Sequence, residues 1–316
     1  FKRLSTGADI VVENFAPGAL ERMGIGFPVL QASNRRLILC SISGFGQRGP
    51  YREWRAYDPI IQAMSGISSV TGYPDRPPVR CGAAISDTTA PLLAVIGILS
   101  ALRLREKSGE GEWVDISMQD SSVFLLPELL EFMASGVVPE RMGNAHVGSV
   151  PFNVYQAKDG YVSVCVVTTR EWESLLAAMG SEELARDGRY ANLLERFEHR
   201  AEIDGMVQEW VGQKTVAEAV GTLQAHHVPA APILDLPGLL REEHLATREM
   251  VVDLAHPTHG SVPGVKGLGM PIKFVRHPLA ADRPAPVLGA HNEEIYGRFL
   301  GIDAAGLSQL RDRGVV

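Results

Sequence analysis

One apolar stretch of the sequence, residues 88–102, sets the strongest limit on how this chain can fold. It contains no charged residue, and Asp87 and Arg103 bound it. Because it is shorter than the ~18 residues that span a bilayer, we expect a helix that is apolar on all sides and buried in a protein core. The basic segment "RLREKSGEG" ends this helix at Gly109, and "EWVDISM" then alternates as a strand does.

Strands and helices alternate along the first part of the chain. The apolar segments "ADIVVEN" and "RLILCSIS" are typical of buried strands, and helices are predicted at residues 17–23 and 57–64. Strands that are separated by helices form parallel, doubly wound sheets. The sequence therefore predicts an α/β fold with a parallel sheet.

The middle of the sequence has a different pattern. "FNVYQAKDGYVSVCVV" predicts a β-hairpin whose Asp-Gly turn uses positive φ, and amphipathic helices follow at residues 170–179, 201–211 and 216–225. "VPAAPILDL" predicts an edge strand. From residue 251 onward Pro, Gly and His are frequent, as in a linker, and "NEEIYGRFLGI" then predicts a helix.

These patterns predict how the domains are organised. We expect a large domain that begins within a helix, so that the sequence lacks the start of this domain. The predicted segments are a large domain over residues 1–142, a small α+β domain over residues 143–247, and a linker with a C-terminal segment over residues 248–316 that returns to the large domain.

Composition excludes several classes of protein. The 316 residues carry a net charge of −7, whereas a general nucleic-acid binder has a basic face. Three cysteines in apolar stretches are typical of reduced core residues, which indicates a cytoplasmic protein. No metal site is predicted, because the histidines at positions 226, 227, 256 and 259 lack further ligands at the usual spacing.

A glycine-rich loop follows the second predicted strand. "GFGQRG", residues 44–49, matches the dinucleotide fingerprint G-x-G-x-x-G, but no helix is predicted to start at its end, so a nicotinamide site is not supported. Arg48, Arg52 and Arg55 lie close together among aromatic residues. They form either a solvated surface loop or a site for a phosphorylated ligand, since arginine pairs well with phosphate.

Asp87 is the charged residue at the head of the long helix. Pro91 is expected in the first turn, which makes Thr88 or Thr89 the N-cap and places Asp87 just before the helix. An acid at this position is usually a cap, and the helix dipole favours its negative charge. Because we expect the helix to be buried, we also expect Asp87 in the interior or on the floor of a cleft, as a candidate nucleophile.

Five collinear segments resemble the family III CoA transferases, which are homologous to the α-methylacyl-CoA racemases. The segments are "ADIVVENFAPGALERMG", "SISGFGQRGPY", "AYDPIIQAMSG", "SDTTAPLLAVIGILSALRLREKSGEGEWVDISMQD" and "HHVPAAPI". The resemblance implies a Rossmann-like large domain built from both ends of the chain, a small domain between them, and two interlocked subunits. It also implies acyl-CoA and carboxylic acid substrates, with no tightly bound cofactor, nucleic acid or membrane.

The resemblance assigns roles by position. Asp87 matches the catalytic aspartate, which forms an aspartyl acyl anhydride and an aspartyl-CoA thioester. Arg55 matches a basic residue for the CoA phosphates. The resemblance also places Phe15, Ala16, Arg22 and Met23 at positions near the CoA nucleotide, and Tyr57 at an aromatic position beside the site. The substrate pocket further includes a loop that covers the aspartate from the small domain, with Gly143, Asn144, Ala145 and His146.

Tyr57 separates the two branches of this superfamily. The racemases exchange an α-proton and use a histidine in a "G-H-D" motif, where this sequence has "A-Y-D". A phenol is ordinarily protonated at neutral pH and is a poor base, so a transferase is favoured. An acyl-CoA racemase or isomerase, or an inactive CoA-binding fragment, remains the alternative.

Overall fold

The computed structural model describes residues 1–256, 260–279 and 285–316. The chain folds into two compact units, Phe1–Val147 and Gly148–Val316. Two expectations about the domains stay predictions. They are the domain limits at residues 142 and 247 and the return of the C-terminal segment to the large domain.

A parallel sheet forms the centre of the first unit. Its strands are β1 (Ile10–Glu13), β2 (Ile38–Ser43) and β3 (Trp113–Ser117), in the order β1-β2-β3. Ile10 lies opposite Ile38, and Leu39 lies opposite Trp113. The central strand is almost fully buried, which explains its continuous apolar sequence. The predicted parallel α/β fold is confirmed.

Eight helices surround this sheet in the described part of the first unit. A residue in the left-handed region, Gly109 with φ 78°, ends the longest of them, as the sequence predicts. The helices are α1 (Lys2–Ser5), α2 (Ala19–Arg22), α3 (Phe27–Ser33), α4 (Asp58–Met64), α5 (Ile67–Val70), α6 (Ile85–Ser108), α7 (Met118–Val123) and α8 (Pro127–Ser135).

Helix α6 packs on the sheet through a narrow stripe of small residues. Ala90, Ala94 and Ala101 are buried, and Gly97 lies so close to β3 that a Cβ there would be 2.8 Å from Val114 Cγ1. These positions recur every three or four residues, which places them on one face of the helix. The small-residue stripe therefore lets the helix axis approach the strands closely.

One long side of α6 is exposed in this chain, so the expectation of burial on all sides is wrong. Leu92, Val95, Ile96 and Leu99 are each 55–62% exposed. The apolar sequence has no polar face to show which side meets the sheet, and only the small-residue stripe fits there. We refer to the four exposed side chains as the apolar face of α6.

By length and apolarity alone, α6 is also the one helix among the described residues that could cross a membrane. This differs from the expectation drawn from the charges at its ends. Such a result is weak when a single helix gives it, because core helices pass the same test. The contacts of α6 with β2 and β3 are those of a crossover helix between parallel strands.

The second unit contains an antiparallel sheet covered by helices. The strands are β4 (Phe152–Gln156), β5 (Tyr161–Cys165) and β6 (Ala230–Pro232), with β6 at one edge as predicted. The helices are α9 (Thr169–Met179), α10 (Leu193–Glu198), α11 (Arg200–Gly212), α12 (Val216–Ala225), α13 (Leu236–Leu239), α14 (Glu243–Thr247) and α15 (Ala304–Asp312), with 3₁₀ turns at Glu182–Arg186 and Gly188–Tyr190 and a π-helical segment at Glu293–Phe299.

A single apolar core holds this sheet and its helices together. Val162 and Val164 of β5 pack against Leu175 of α9, Val207 of α11 and Leu223 of α12, and all five are at most 1% exposed. The three amphipathic helices predicted from the sequence are thereby confirmed, because their apolar faces form this core.

Two local predictions for this unit are wrong. The hairpin between β4 and β5 forms without positive φ at Asp159 or Gly160; instead the N–H of Ala157 donates to the C=O of Gly160, 2.9 Å away. The segment after residue 250 is not only a linker: β7 (Val251–His256) and β8 (Gly260–Leu268) pair as antiparallel strands. The sequence did not predict these strands because prolines and glycines, which are frequent in this segment, are uncommon in strands.

Candidate active site

The carboxyl edge of the parallel sheet carries part of the candidate residues of the first unit. The Arg105 guanidinium, near the end of α6, pairs with Asp9 at 2.9 Å and donates to the C=O of Arg36 at 3.1 Å. Both partners precede strands, so this end of α6 lies at the amino edge. The start of α6 therefore lies at the opposite edge, where ligands bind in open α/β sheets.

Helix α6 begins earlier than the sequence predicts. Its first residue is Ile85, which places Asp87 in the first turn and Pro91 inside the helix. Thr88 and Thr89 are not caps, because their hydroxyls donate back to the C=O groups of Ala84 and Ile85 at 2.9 and 2.7 Å. The predicted N-cap is therefore wrong.

The Asp87 side chain is exposed in the single chain. The preceding residue, Ser86, is fully buried on the side of the sheet, and Asp87 lies about 100° further round the helix. The expectation that Asp87 lies in the interior is therefore wrong for this chain, and its position in a cleft stays a prediction. The physical reason is the limited burial of α6, of which only the small-residue stripe and its extension through Ser86 face the sheet.

A buried hydrogen-bond network holds the first turn of α6. The N–H of Ser86 donates to Asp58 Oδ1 at 2.9 Å, and Gln62 Nε2 donates to Asp58 Oδ2 at 2.7 Å. Gln62 Oε1 accepts from the N–H of Cys81 at 2.7 Å, and Ser122 Oγ donates to Ser86 Oγ at 2.9 Å. We call Asp58, Gln62, Ser86 and Ser122 the buried network.

Sequence reasoning did not identify the buried network. Asp58 is the first residue of α4, and acids are common in the first turn of a helix, so its sequence position suggested nothing beyond a local role. The residue is only 5% exposed, and its carboxylate caps a different helix. The one usable signal is the occurrence of Asp58 and Gln62 four residues apart, which places both on one face of α4.

Tyr57 and Asp87 each directly adjoin one member of the buried network in sequence. Each is the chain neighbour of one partner in the hydrogen bond between Asp58 and Ser86. Tyr57 is 77% exposed, so its phenol is accessible at the head of α4. Arg55 lies two residues before it and is also exposed. The structure thus brings three of the predicted site residues to the starts of α4 and α6.

Three aromatic residues of the loop before α4 pack against one another. Tyr51 and Trp54 lie 4.3 Å apart between ring centroids, and Phe45 contacts both rings edge-on. No helix starts directly after residues 44–49, as the sequence predicts.

The three arginines of this loop differ in their partners. Arg52 pairs with Glu53 at 3.0 Å. Arg48 and Arg55 are exposed and have no ionic or hydrogen-bond partner among the described residues. Two guanidinium groups are therefore available to an anion beside a packed aromatic surface.

The residues predicted to contact CoA lie on the loop after β1 and on α2. Phe15, Ala16, Arg22 and Met23 are all exposed. Ala16 lines a shallow surface crevice together with Gln47 from the glycine-rich loop. The loops that follow β1 and β2 thus meet at the carboxyl edge.

The predicted acid-pocket loop lies elsewhere in the same unit. Gly143, Ala145 and His146 line a cavity of about 370 Å³, to which neither Asp87 nor Tyr57 contributes. Gly143 has φ 64°, and a Cβ there would meet the Tyr73 ring at 2.3 Å. Asn144 Nδ2 donates to the Tyr73 hydroxyl at 3.4 Å.

Metal ligands do not cluster anywhere in residues 1–256, 260–279 and 285–316. His226 contacts the C=O of Thr222 through Nδ1, at 2.9 Å, which is a structural contact near the end of α12. His259, the partner considered for His256, lies outside the described residues.

Comparisons with known proteins agree on one family. A model of CoA-transferase family III matches residues 1–292. The chain is 35% identical to a succinyl-CoA–D-citramalate CoA-transferase of Chloroflexus aurantiacus over 100% of this chain and 78% of that protein. It is 33% identical to a succinate–glutarate CoA-transferase of Agrobacterium fabrum over 96% of this chain and 75% of the relative.

A solved structure gives the same result. A CaiB/BaiF family protein from Brucella suis superposes with a TM-score of 0.82 and 35% identity, covering 94% of this chain and 77% of that one. A match over 94% of this chain extends into both units. The chain therefore belongs to CoA-transferase family III and is a CoA transferase.

Proposed function

We propose that this CoA transferase moves CoA from an acyl-CoA donor to a carboxylic acid through covalent intermediates on Asp87. The observation that carries the proposal is the position of Asp87: exposed, in the first turn of α6, at the carboxyl edge of the sheet, and next to the residue that Asp58 holds. An accessible carboxylate at a helix N-terminus retains its negative charge and can attack a carbonyl carbon.

The first half-reaction transfers CoA to the enzyme. One Asp87 oxygen attacks the thioester carbonyl of the donor, and the C–S bond breaks. CoA leaves as a thiolate, and the acyl group stays on Asp87 as a mixed anhydride. The thiolate then attacks the Asp87 carbonyl carbon, and the donor acid leaves as a carboxylate. The enzyme now carries an aspartyl-CoA thioester.

The second half-reaction repeats these steps in reverse order. The acceptor carboxylate attacks the aspartyl thioester, CoA leaves as a thiolate, and a second anhydride forms between Asp87 and the acceptor. The thiolate attacks the acceptor's carbonyl carbon, which releases the new acyl-CoA and restores the Asp87 carboxylate. No proton is consumed, because every nucleophile and leaving group in the cycle is an anion.

The surrounding residues bind and orient CoA in this proposal. Arg55, with Arg48 nearby, pairs with the CoA phosphates, since both guanidinium groups are exposed and free of carboxylate partners in the described part of the chain. Phe15 and Met23, which are 54% and 53% exposed, offer apolar contacts for the nucleotide. Tyr57 contacts the acyl group beside Asp87.

Two further features belong to the proposal. The acceptor is a short dicarboxylic acid, because similar proteins are named for succinate, glutarate and citramalate. The active form is a cytoplasmic homodimer, in which the loop that includes Gly143 and His146 reaches an aspartate. The apolar face of α6 supports a subunit contact, because large exposed apolar patches mark interaction surfaces.

The test is an exchange assay with succinyl-CoA and a panel of carboxylic acids. Asp87→Asn is expected to abolish CoA exchange and to retain CoA binding, and hydroxylamine is expected to trap an Asp87 hydroxamate in the wild type. Glu218→Gln is the matched control, because Glu218 is an exposed acid in the first turn of α12 in the second unit, and it should keep full activity. Exchange by Asp87→Asn refutes the mechanism.

The alternative activity has its own signature. A racemase or isomerase would wash deuterium from solvent into the α-carbon of an acyl-CoA without exchanging its acid. Label uptake of this kind, together with an absence of CoA exchange, would assign the chain to the racemase branch. An enzyme that binds CoA but does neither would be an inactive CoA-binding protein.

A further inference from the structure

We propose that Asp58 is a positioning residue for the transfer reaction: together with Gln62 it sets the orientation of the first turn of α6 and thereby of the Asp87 carboxylate. The inference rests on the proposed function, since it assumes that Asp87 is the nucleophile. The inference gives a role to Asp58 and Gln62, to which the family resemblance assigned none. The argument follows from the connections of the buried network.

Asp58 holds the residue that precedes Asp87. Its Oδ1 accepts from the N–H of Ser86 at 2.9 Å, one of the helix N–H groups that have no partner within α6. Local capping does not serve this helix, because Ala84 at the N-cap has no side-chain acceptor. The direction in which α6 starts is therefore fixed by a residue of α4.

Gln62 holds the segment that leads into α6. Its Oε1 accepts from the N–H of Cys81 at 2.7 Å, and its Nε2 faces the C=O groups of Cys81 and Ala83 at 3.5 and 3.4 Å. The same Nε2 donates to Asp58 Oδ2 at 2.7 Å. One amide thus connects the approach to the helix with the carboxylate that caps it.

A carboxylate is the group that this arrangement requires. Asp58 accepts two hydrogen bonds on two oxygens, whereas an asparagine could accept only one and would direct its amide N–H₂ at Gln62 Nε2. Asp58 is 5% exposed, and Gln62 and Ser86 are 0% exposed, so water cannot replace a lost partner. Breaking either bond should shift the turn.

The proposed chemistry makes this orientation important. Asp87 must present an oxygen to a thioester carbonyl, and later its own carbonyl carbon to a thiolate and to an acid. Each attack depends on alignment, and a displacement of about 1 Å can lower the rate roughly 100-fold. Substrate binding depends on other residues, so a misplaced turn should lower kcat more than it raises KM.

The experiment compares four variants in the full chain. Asp58→Ala removes both acceptors, and Asp58→Asn removes one. The double variant Asp58→Asn with Gln62→Glu exchanges amide and carboxylate, so that the new carboxylate at position 62 accepts from the new amide at position 58 and from the N–H of Cys81. Thr168→Ala is the control, since it removes a cap from α9 in the second unit and lowers stability without affecting α6.

The expected result is a loss of kcat that stability does not explain. We expect roughly a 10- to 100-fold lower kcat for Asp58→Ala, with both KM values within about threefold, and a smaller loss for Asp58→Asn. The exchanged pair should recover part of the loss of Asp58→Asn. Full recovery is not expected, because the new carboxylate oxygen faces the C=O groups of Cys81 and Ala83, to which Gln62 Nε2 donates. Thr168→Ala should lower Tm and keep kcat.

Each other outcome overturns a defined part of the reasoning. An unchanged kcat in Asp58→Ala, a kcat that follows Tm across all variants, or an exchanged pair no better than Asp58→Asn overturns the inference alone. If Asp58→Ala does not fold, the comparison of Asp58→Asn with the exchanged pair decides. A wild type without CoA exchange, or exchange by Asp87→Asn, refutes the proposed function and with it the inference.

Discussion

The contact between α6 and β3 at Gly97 predicts that two similar substitutions have opposite effects. Replacing a helical glycine with alanine ordinarily stabilises a helix by about 1 kcal/mol. At Gly97, however, the new Cβ would lie 2.8 Å from Val114 Cγ1, well inside normal carbon–carbon contact. Overpacking of this kind costs about 1–3 kcal/mol. The two effects together predict that Gly97→Ala destabilises the first unit by about 1 kcal/mol.

Gly205 in α11 provides the matched control. It lies inside a helix, and no heavy atom lies within 4 Å of the position its Cβ would take. Gly205→Ala should therefore stabilise its unit by up to about 1 kcal/mol, so the two substitutions should differ by about 2 kcal/mol. Adding Val114→Ala to Gly97→Ala should remove the clash, giving a favourable coupling of about 1 kcal/mol in a double-mutant cycle.

Hydrogen exchange of the amides in α6, β3 and α11 is the suitable assay. It reports the opening free energy of each segment separately, which matters because the chain has two units. If Gly97→Ala protects α6 as much as Gly205→Ala protects α11, the close approach of α6 to the sheet is wrong. The absence of coupling with Val114→Ala would contradict the assigned contact.

Three further predictions follow from buried or hydrogen-bonded titratable groups. The Tyr155 hydroxyl donates a hydrogen bond to Asp204 at 2.6 Å, and the pKa of Tyr155 is raised mainly by burial and secondly by the charge of Asp204. Tyr155→Phe should lower the free energy of unfolding by about 1–3 kcal/mol in urea denaturation. An unchanged midpoint would contradict this prediction. Glu171 accepts hydrogen bonds from backbone N–H groups, first that of Thr168, and these bonds lower the pKa of Glu171. The stabilisation by Glu171 is therefore present above the pKa of the unfolded state and is lost as pH falls through the pKa of the folded state. The stability difference between wild type and Glu171→Gln should be largest at neutral pH and vanish in acid, and a pH-independent difference would refute this prediction. The pKa of Cys40 is raised to about 11, mainly by burial and secondly by two nearby carboxylates. A thiol reagent at pH 8 should therefore label the other two cysteines and react with Cys40 only after unfolding. Labelling of Cys40 in the native protein would show that β2 is not buried as described.

The sequence predicted the parallel sheet because its signals are local. Continuous apolar strands separated by helices require a sheet covered by helices, and residues 38–43 form such a strand with hardly any exposed surface. Capping signals predicted the end of α6 for the same reason, since Gly109 acts on its own helix. These features depend only on residues a few positions apart.

The start of α6 could not be predicted because its cap comes from α4. Local rules require an N-cap side chain beside the first turn, and Thr88 and Thr89 were the available candidates. Asp58 supplies the acceptor from 28 positions away, which permits Ala84 at the N-cap. A contact between distant residues leaves no pattern in a single sequence.

The candidate site was only partly predictable for a related reason. The resemblance assigned roles to Asp87, Tyr57 and Arg55 as separate positions, and the fold places all three at the starts of α4 and α6. Hydropathy cannot show which side of an evenly apolar helix meets a sheet, so the exposure of Asp87 was missed. The size of the side chains at Ala94 and Gly97 determines that side.

The attachment of α6 at both ends restricts changes in its length. Within this 24-residue helix, Arg105 fixes one end to the start of the sheet, and Asp58 fixes the other end through Ser86. One inserted residue would lengthen this span by about 1.5 Å and turn Asp87 by about 100° relative to Arg105. Functional homologues should therefore carry insertions in the loops on either side of this segment and none within it.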